Sequence, residues 1–114
     1  MSDCLFCKIS EGSIPSDKVY ESDTLFAIND INPQAPTHIL IIPKKHIVSI
    51  AELADDDVPL LGRMMAVAKH VAQELGLAQN GYRLIINNGP DGGQVVMHLH
   101  MHLLGGRKLP DKMK

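Results

Sequence analysis

Tryptophan is absent from this 114-residue chain, which holds only two phenylalanines, two tyrosines and two cysteines. With so few aromatics the core must come from aliphatic side chains, and hydrophobic residues at 45% supply enough for a single domain over 1–114. No apolar run approaches the ~20 residues that cross a bilayer, so no membrane partner is expected. Strong charge of either sign is missing too, and a formal net charge of -2 gives no general pull toward nucleic acid. The start, Met-Ser-Asp-Cys, has no basic stretch followed by an apolar core, so the cytoplasm is the expected location. In a reducing compartment two cysteines suggest thiols or metal ligands rather than a disulfide. Against these shortages stand six histidines, three of them within five residues.

Repeats and low-complexity tracts are also missing. Residues 4–10 suit a short helix with Leu5, Ile9 and Phe6 facing inward, ended by Gly12 and Pro15. Residues 19–28 read as a hairpin turning at Glu21-Ser22-Asp23. A proline-containing connection over 29–36 leads into a buried strand over 38–42 that Pro43 ends. Helical spacing of Leu61, Met64, Met65, Ala68, Val71, Ala72 and Leu75 predicts a long helix over 56–75, with Gly76 as its stop. Asp55, Asp56 and Asp57 suit a capped helix start, a metal site being the alternative. Strands are predicted over 82–87 and 95–104, joined by the loop Gly89-Pro90-Asp91-Gly92-Gly93. The expected class is α+β with a largely antiparallel sheet.

In the last predicted strand His98, His100 and His102 alternate with Leu99, Met101 and Leu103. A strand would set the three imidazoles on one face at steps of roughly 6.6 Å. Such a face could be solvated surface, a metal site or an acid–base and nucleophilic site. The glycine loop before it is either a tight connection or a nest of N–H groups for an anion such as phosphate. Taken together the two favour phosphorus chemistry, in which a neutral imidazole attacks phosphorus, an acceptor fixes its other nitrogen, and a second imidazole or an amide meets the negative oxygens.

His98-Leu99-His100-Met101-His102-Leu103-Leu104 resembles the signature of the histidine triad (HIT) superfamily, His-x-His-x-His-x-x with apolar residues at x. The segments 30–38, Pro43-Lys44-Lys45-His46-Ile47, Gly81-Tyr82-Arg83, Gly92-Gly93-Gln94 and Leu104-Gly105-Gly106-Arg107 are similar to its Hint branch. The resemblance runs from Leu5 to Arg107 and implies a homodimer joining two five-stranded sheets, with a purine nucleotide as small-molecule substrate. It implies a purine nucleoside phosphoramidase or nucleotidyl hydrolase acting without a catalytic metal, with His100 as nucleophile, the His98 carbonyl holding its second nitrogen, and His102 assisting the leaving group. Asn87, Gln94 and the Val96 backbone match positions near the phosphate, and Asp30 matches the carboxylate that accepts the ribose hydroxyls. Phe6, Ile28, Asn29 and Ile31 match the purine pocket, although Phe6 and the two isoleucines suit a core as well. Hydrolysis of dinucleoside polyphosphates, or nucleotide binding with incidental turnover, are the alternatives. Two departures are visible: Val95 stands where many relatives place a polar residue, and 108–114 lacks the tryptophan of some relatives' tails.

Cys4-x-x-Cys7 has zinc-knuckle spacing without a second knuckle, and by itself fits buried apolar residues or a redox pair equally. The resemblance to CxxC-bearing bacterial HIT proteins implies a closed structural zinc site of Cys4, Cys7, His46 and His98. His38 is expected to make a structural hydrogen bond and His70 to lie on the surface. Lys44, Lys45 and Arg107 read as solvated charge.

Overall fold

The computed structural model describes residues 4–111. Helix α1 (Leu5–Glu11) is followed by strands β1 (Lys18–Glu21), β2 (Leu25–Asn29) and β3 (Thr37–Pro43), then helix α2 (Val58–Glu74), strand β4 (Arg83–Ile85) and strand β5 (Met101–Gly105). Short 3-10 turns occupy Ile50–Glu52, Asp55–Asp57 and Pro90–Gly92. The strands pair antiparallel in the order β1-β2-β3-β5-β4, giving the expected α+β architecture.

Both faces of the sheet are covered, which is why β2 and β3 read as unbroken apolar runs. Leu25 and Ala27 of β2, Ile39 and Ile41 of β3, and Leu99, Met101 and Leu103 pack in one cluster with Met64, Val67, Ala68 and Val71 of α2. Phe26, Ile28, Leu40 and Ile42 point the other way and meet Phe6 and Ile9 of α1. The period of two along each strand therefore sorts its residues between two helices.

Both helices end on a left-handed glycine. At α2 the Gly76 N–H reaches the Gln73 carbonyl and the Leu77 N–H reaches Ala72, at 3.2 and 2.8 Å. Gly12 and Ser13 make the equivalent bonds to Ile9 and Lys8. A left-handed residue followed by such paired bonds satisfies carbonyls that the last turn would leave free.

Several sequence expectations shift. Leu5 faces solvent while Phe6, Cys7 and Ile9 are buried, because α1 is rotated to set Phe6 on the sheet. The stripe of α2 is Leu60, Met64, Val67, Ala68, Val71 and Ala72, leaving Met65 and Leu75 exposed. Asp57 holds the N-cap position of α2, but its carboxylate does not cap that helix. Instead it accepts the Ala54 N–H at 3.3 Å and pairs with Lys45 at 2.7 Å, which lowers its pKa. Lys44 pairs with Glu21 at 2.8 Å.

The largest correction concerns the last strand, expected over 95–104. It starts only at Met101, so His98 and His100 precede it. Pro43 has no N–H to extend the ladder, and its carbonyl accepts the His98 Nε2–H at 2.7 Å. The Leu99 N–H turns instead to the Ile47 carbonyl, also at 2.7 Å.

Candidate functional site

Alternation survives the loss of ladder pairing. With Leu99, Met101 and Leu103 anchored under α2, the three histidines are left to the side covered by α1. Phe6 lies edge-on to His98 and His100, with centroids 5.7 and 5.1 Å away, and His100 and His102 are 5.0 Å apart. His98 and His100 are buried and His102 half-buried. A solvated histidine face is thereby excluded.

Hydrogen bonds assign the imidazole protons. A carbonyl only accepts, so the 2.7 Å contact of His100 Nδ1 with the His98 carbonyl places the proton on Nδ1 and leaves the Nε2 lone pair free. That is the form a nucleophilic imidazole requires. His102 has a different partner, which the sequence did not single out for chemistry. His38 stands on β3 diagonal to His102, and its Nε2 lies 2.9 Å from His102 Nδ1. The backbone N–H of Gln34 donates to His38 Nδ1 at 3.0 Å, so the His38 proton sits on Nε2 and points at His102. His102 Nδ1 then accepts, and its own proton is on Nε2. His38 does make the structural hydrogen bond expected of it, and also directs a second imidazole. The only signal for this in the sequence was its even spacing with Leu40 and Ile42 on one strand face.

Burial, reinforced by the neighbouring His100 and His38, pushes the His102 pKa down to about 4. Burial also lowers His38, against a raising effect from Asp30, and lowers His98. The unfolded chain takes up the His102 proton near 6.5, so it binds more protons than the folded chain between 6.5 and about 4. Stability from this group is complete above 6.5 and declines as the pH falls toward 4. Urea unfolding across that range should show the decline, with a shallower slope in His102→Asn.

A second cluster adjoins the first. Cys4 Sγ lies 3.2 Å and Cys7 Sγ 3.6 Å from His98 Nδ1, Cys7 Sγ lies 3.4 Å from His46 Nδ1, and the two Nδ1 atoms are 3.2 Å apart. Around a tetrahedral zinc ion, donors sit roughly 3.3–3.8 Å apart. Because His98 gives its Nε2–H to the Pro43 carbonyl, its Nδ1 presents a bare lone pair to the sulfurs. Burial, with Cys4 adding to it, pushes the Cys7 thiol up to about 11, a cost that a bound dication reverses by stabilising thiolate. The four residues can therefore hold a metal ion.

Asp30, His38 and His102 also converge, with one donor atom each within 4.8 Å of the others. They fit a metal poorly. The Gln34 N–H occupies His38 Nδ1, so the nitrogen that would have to bind the ion carries the proton.

The remaining candidates fall into distinct places. Asp30 is half-buried, accepts the Asn32 N–H at 2.8 Å through Oδ1, and sets Oδ2 3.4 Å from His38. Of the four purine-pocket residues, Phe6 and Ile28 are packed in the α1-side core, whereas Asn29 and Ile31 face solvent, Ile31 at 90% exposure. Val96 packs against that same core, and Val95 is exposed. Gln94 is buried with its amide occupied: Oε1 accepts the Gly89 N–H at 2.8 Å, and Nε2 donates to the Val48 and Val96 carbonyls. Asn87 Nδ2 lies 3.4 Å from the Gly93 carbonyl. The glycine loop is a tight connection rather than a nest, because the N–H groups of Gly89, Gly92, Gly93 and Gln94 all bond within this segment. His70 lies on the surface of α2, 3.4 Å from Glu74. Among the described residues no helix is long and apolar enough to cross a membrane.

Comparison with known proteins agrees with this geometry. The HIT domain family model matches residues 11–109. The purine nucleoside phosphoramidase of Escherichia coli strain K12 is 51% identical over 105 residues, covering 92% of this chain and 88% of that protein. Among solved structures, a histidine triad protein from Clostridium difficile superposes with a TM-score of 0.96 at 49% identity, covering 99% of this chain and 98% of the other. A HIT family hydrolase from Legionella pneumophila gives 0.93 at 52%, covering 96% and 97%.

Proposed function

Because the chain belongs to the HIT domain family, we propose that its paired imidazoles make it a nucleotide hydrolase that cleaves the P–N bond of purine nucleoside 5′-phosphoramidates. The observation that carries this reading is the 2.7 Å bond from His100 Nδ1–H to the His98 carbonyl, which leaves the Nε2 lone pair free. His100 Nε2 attacks the α-phosphorus and the P–N bond breaks. The imidazolium formed keeps its Nδ1–H on the carbonyl, which stabilises the developing charge. The departing nitrogen accepts a hydrogen bond from the His102 Nε2–H and takes its proton from solvent. Water then cleaves the nucleotidyl–His100 bond and returns a proton to solvent, so the net change is P–N plus water to P–OH and N–H. Asp30 accepts the ribose hydroxyls. Phe6, Ile28, Asn29 and Ile31 border the purine, with Phe6 and Ile28 acting from the core beneath it. Asn87, Gln94 and the Val96 backbone flank the phosphate, Gln94 through the loop it holds.

Cys4, Cys7, His46 and His98 hold a structural zinc, since four protein donors leave no position for water. When bound, the ion supplies rigidity and keeps both sulfurs as thiolates. It takes no part in bond breaking. Thiolate ligation suits a reducing compartment such as the cytoplasm. The chain acts as one HIT domain over 1–114 in a homodimer. The short outer edge of β4 and the exposed Val58 and Met65 on α2 support such an interface.

Turnover of adenosine 5′-phosphoramidate, AMP-lysine and diadenosine polyphosphates by one preparation tests the reading, with light scattering giving twice the chain mass. Phosphoramidates should be cleaved much faster than diadenosine polyphosphates, with AMP as product. A protein that binds AMP yet turns over none of the three is not this enzyme.

A further inference from the structure

The proton order of the His38–His102 pair could run either way. If His38 carried its proton on Nδ1, its Nε2 would accept from His102 Nδ1–H, and His102 Nε2 would be a bare lone pair with nothing to donate. The two arrangements keep the same heavy atoms and have opposite chemical consequences. One backbone amide decides between them: the Gln34 N–H, 3.0 Å from His38 Nδ1. Asp30 Oδ2, an acceptor 3.4 Å from His38 Nε2, favours the same arrangement from the other end.

Gln34 sits in the exposed connection between β2 and β3, so its amide orders His38 only if that connection is held. Its amino-terminal half is tied to itself: the Asp30 N–H bonds the His38 carbonyl at 2.9 Å, the Asn32 N–H bonds Asp30, and Gln34 Nε2 bonds the Asn32 carbonyl at 3.2 Å. The rest is gripped from beyond β5. Arg107 Nη2 donates to the Gln34 carbonyl at 3.3 Å, and Nη1 to the Lys108 carbonyl at 3.1 Å. Gly106 before it has φ +94° and lies so close to Pro36 that a Cβ there would come within 2.9 Å of the proline ring.

We propose that Arg107 is a positioning residue for the hydrogen bond that the His102 Nε2–H gives the leaving group, acting through the Gln34 amide and His38 on His102. The guanidinium holds the carbonyl of the residue whose N–H selects the His38 proton position. It therefore acts on the second imidazole without touching substrate. This rests on the phosphoramidase reading for its kinetic consequence only, because the order of protons is a property of the resting protein.

Arg107 is exposed, so Arg107→Met should fold normally and lose the clasp while keeping the aliphatic stem. Nitrogen-15 chemical shifts of His38 should change from a single Nε2–H form in the wild type to a mixture. With an alkylamine leaving group kcat should fall about tenfold, part of the ~10²–10³ that a positioned hydrogen-bond donor contributes, with KM little changed. An aryl leaving group of low basicity, which departs without help from a hydrogen bond, should be affected far less. Gln34→Pro, which deletes the N–H itself, should produce the same pattern. Lys108→Met, a neighbouring cation whose ammonium lies by Asp111, should alter neither shifts nor rates. The proposal is overturned if His38 stays a single Nε2–H form in both variants, or if both leaving groups slow equally. A wild type with no phosphoramidase activity would remove the function above, and the His38 shifts would still decide the clasp.

Discussion

Substituting His100 by glutamine is expected to lower kcat for adenosine 5′-phosphoramidate by at least about 10⁴-fold while AMP binding stays within a small factor of wild type. Glutamine approximates the size of imidazole and can keep a donor on the His98 carbonyl, but it offers no lone pair able to form a P–N bond. The loss is in chemistry rather than affinity, so single-turnover mixing should show no burst of released amine. Quenching wild type early should trap label from an α-³²P substrate on the protein, and His100→Gln should trap none. Comparable turnover by His100→Gln would remove the nucleophile from the scheme.

The second large effect concerns the sulfur cluster. Protein purified without chelator is expected to carry about one zinc per chain, and Cys4→Ser/Cys7→Ser none, by elemental analysis. An ion bound only by the folded chain stabilises it by about 4.1 kcal/mol when present at a thousand times its dissociation constant. Stripping it should therefore shift the urea midpoint markedly downward. Activity should fall as well, because His98 belongs to both clusters. Its ring faces the cysteines, and its carbonyl fixes the nucleophile 2.7 Å away. Reduced wild type lacking zinc and matching the stability of the double variant would remove the metal from the account.

Much of this was legible because apolar alternation and helix stops are local. Leu99, Met101 and Leu103 announced which way the histidines point, and Gly76 ended the long helix where a left-handed residue was needed. Less legible was anything dependent on two distant segments meeting. The start of β5 was misplaced because Pro43, about sixty residues earlier, ends its partner's ladder. The glycine loop fitted a tight connection or a phosphate nest equally well by composition, and only its hydrogen bonds, with Gln94 and backbone carbonyls taking the amides, make it a connection. Phe6 and Ile28 suited core and pocket from spacing alone, and packing placed both in the core, Phe6 beside His98 and His100.

By itself the sequence determined the class of fold, which side of the last segment carries imidazole, and the donor types available for metal and phosphorus. These depend on side-chain chemistry and on periods of two and 3.6 residues, which the chain carries along its length. Beyond the His98 carbonyl on His100, which the resemblance implied, only the tertiary structure decided which nitrogen of each imidazole holds its proton. That choice belongs to the partner across space: a carbonyl for His98 and His100, a backbone amide for His38, and His38 for His102. An imidazole is donor or acceptor according to its neighbour, and His38 and His102, sixty-four residues apart, are brought together by the register of the sheet.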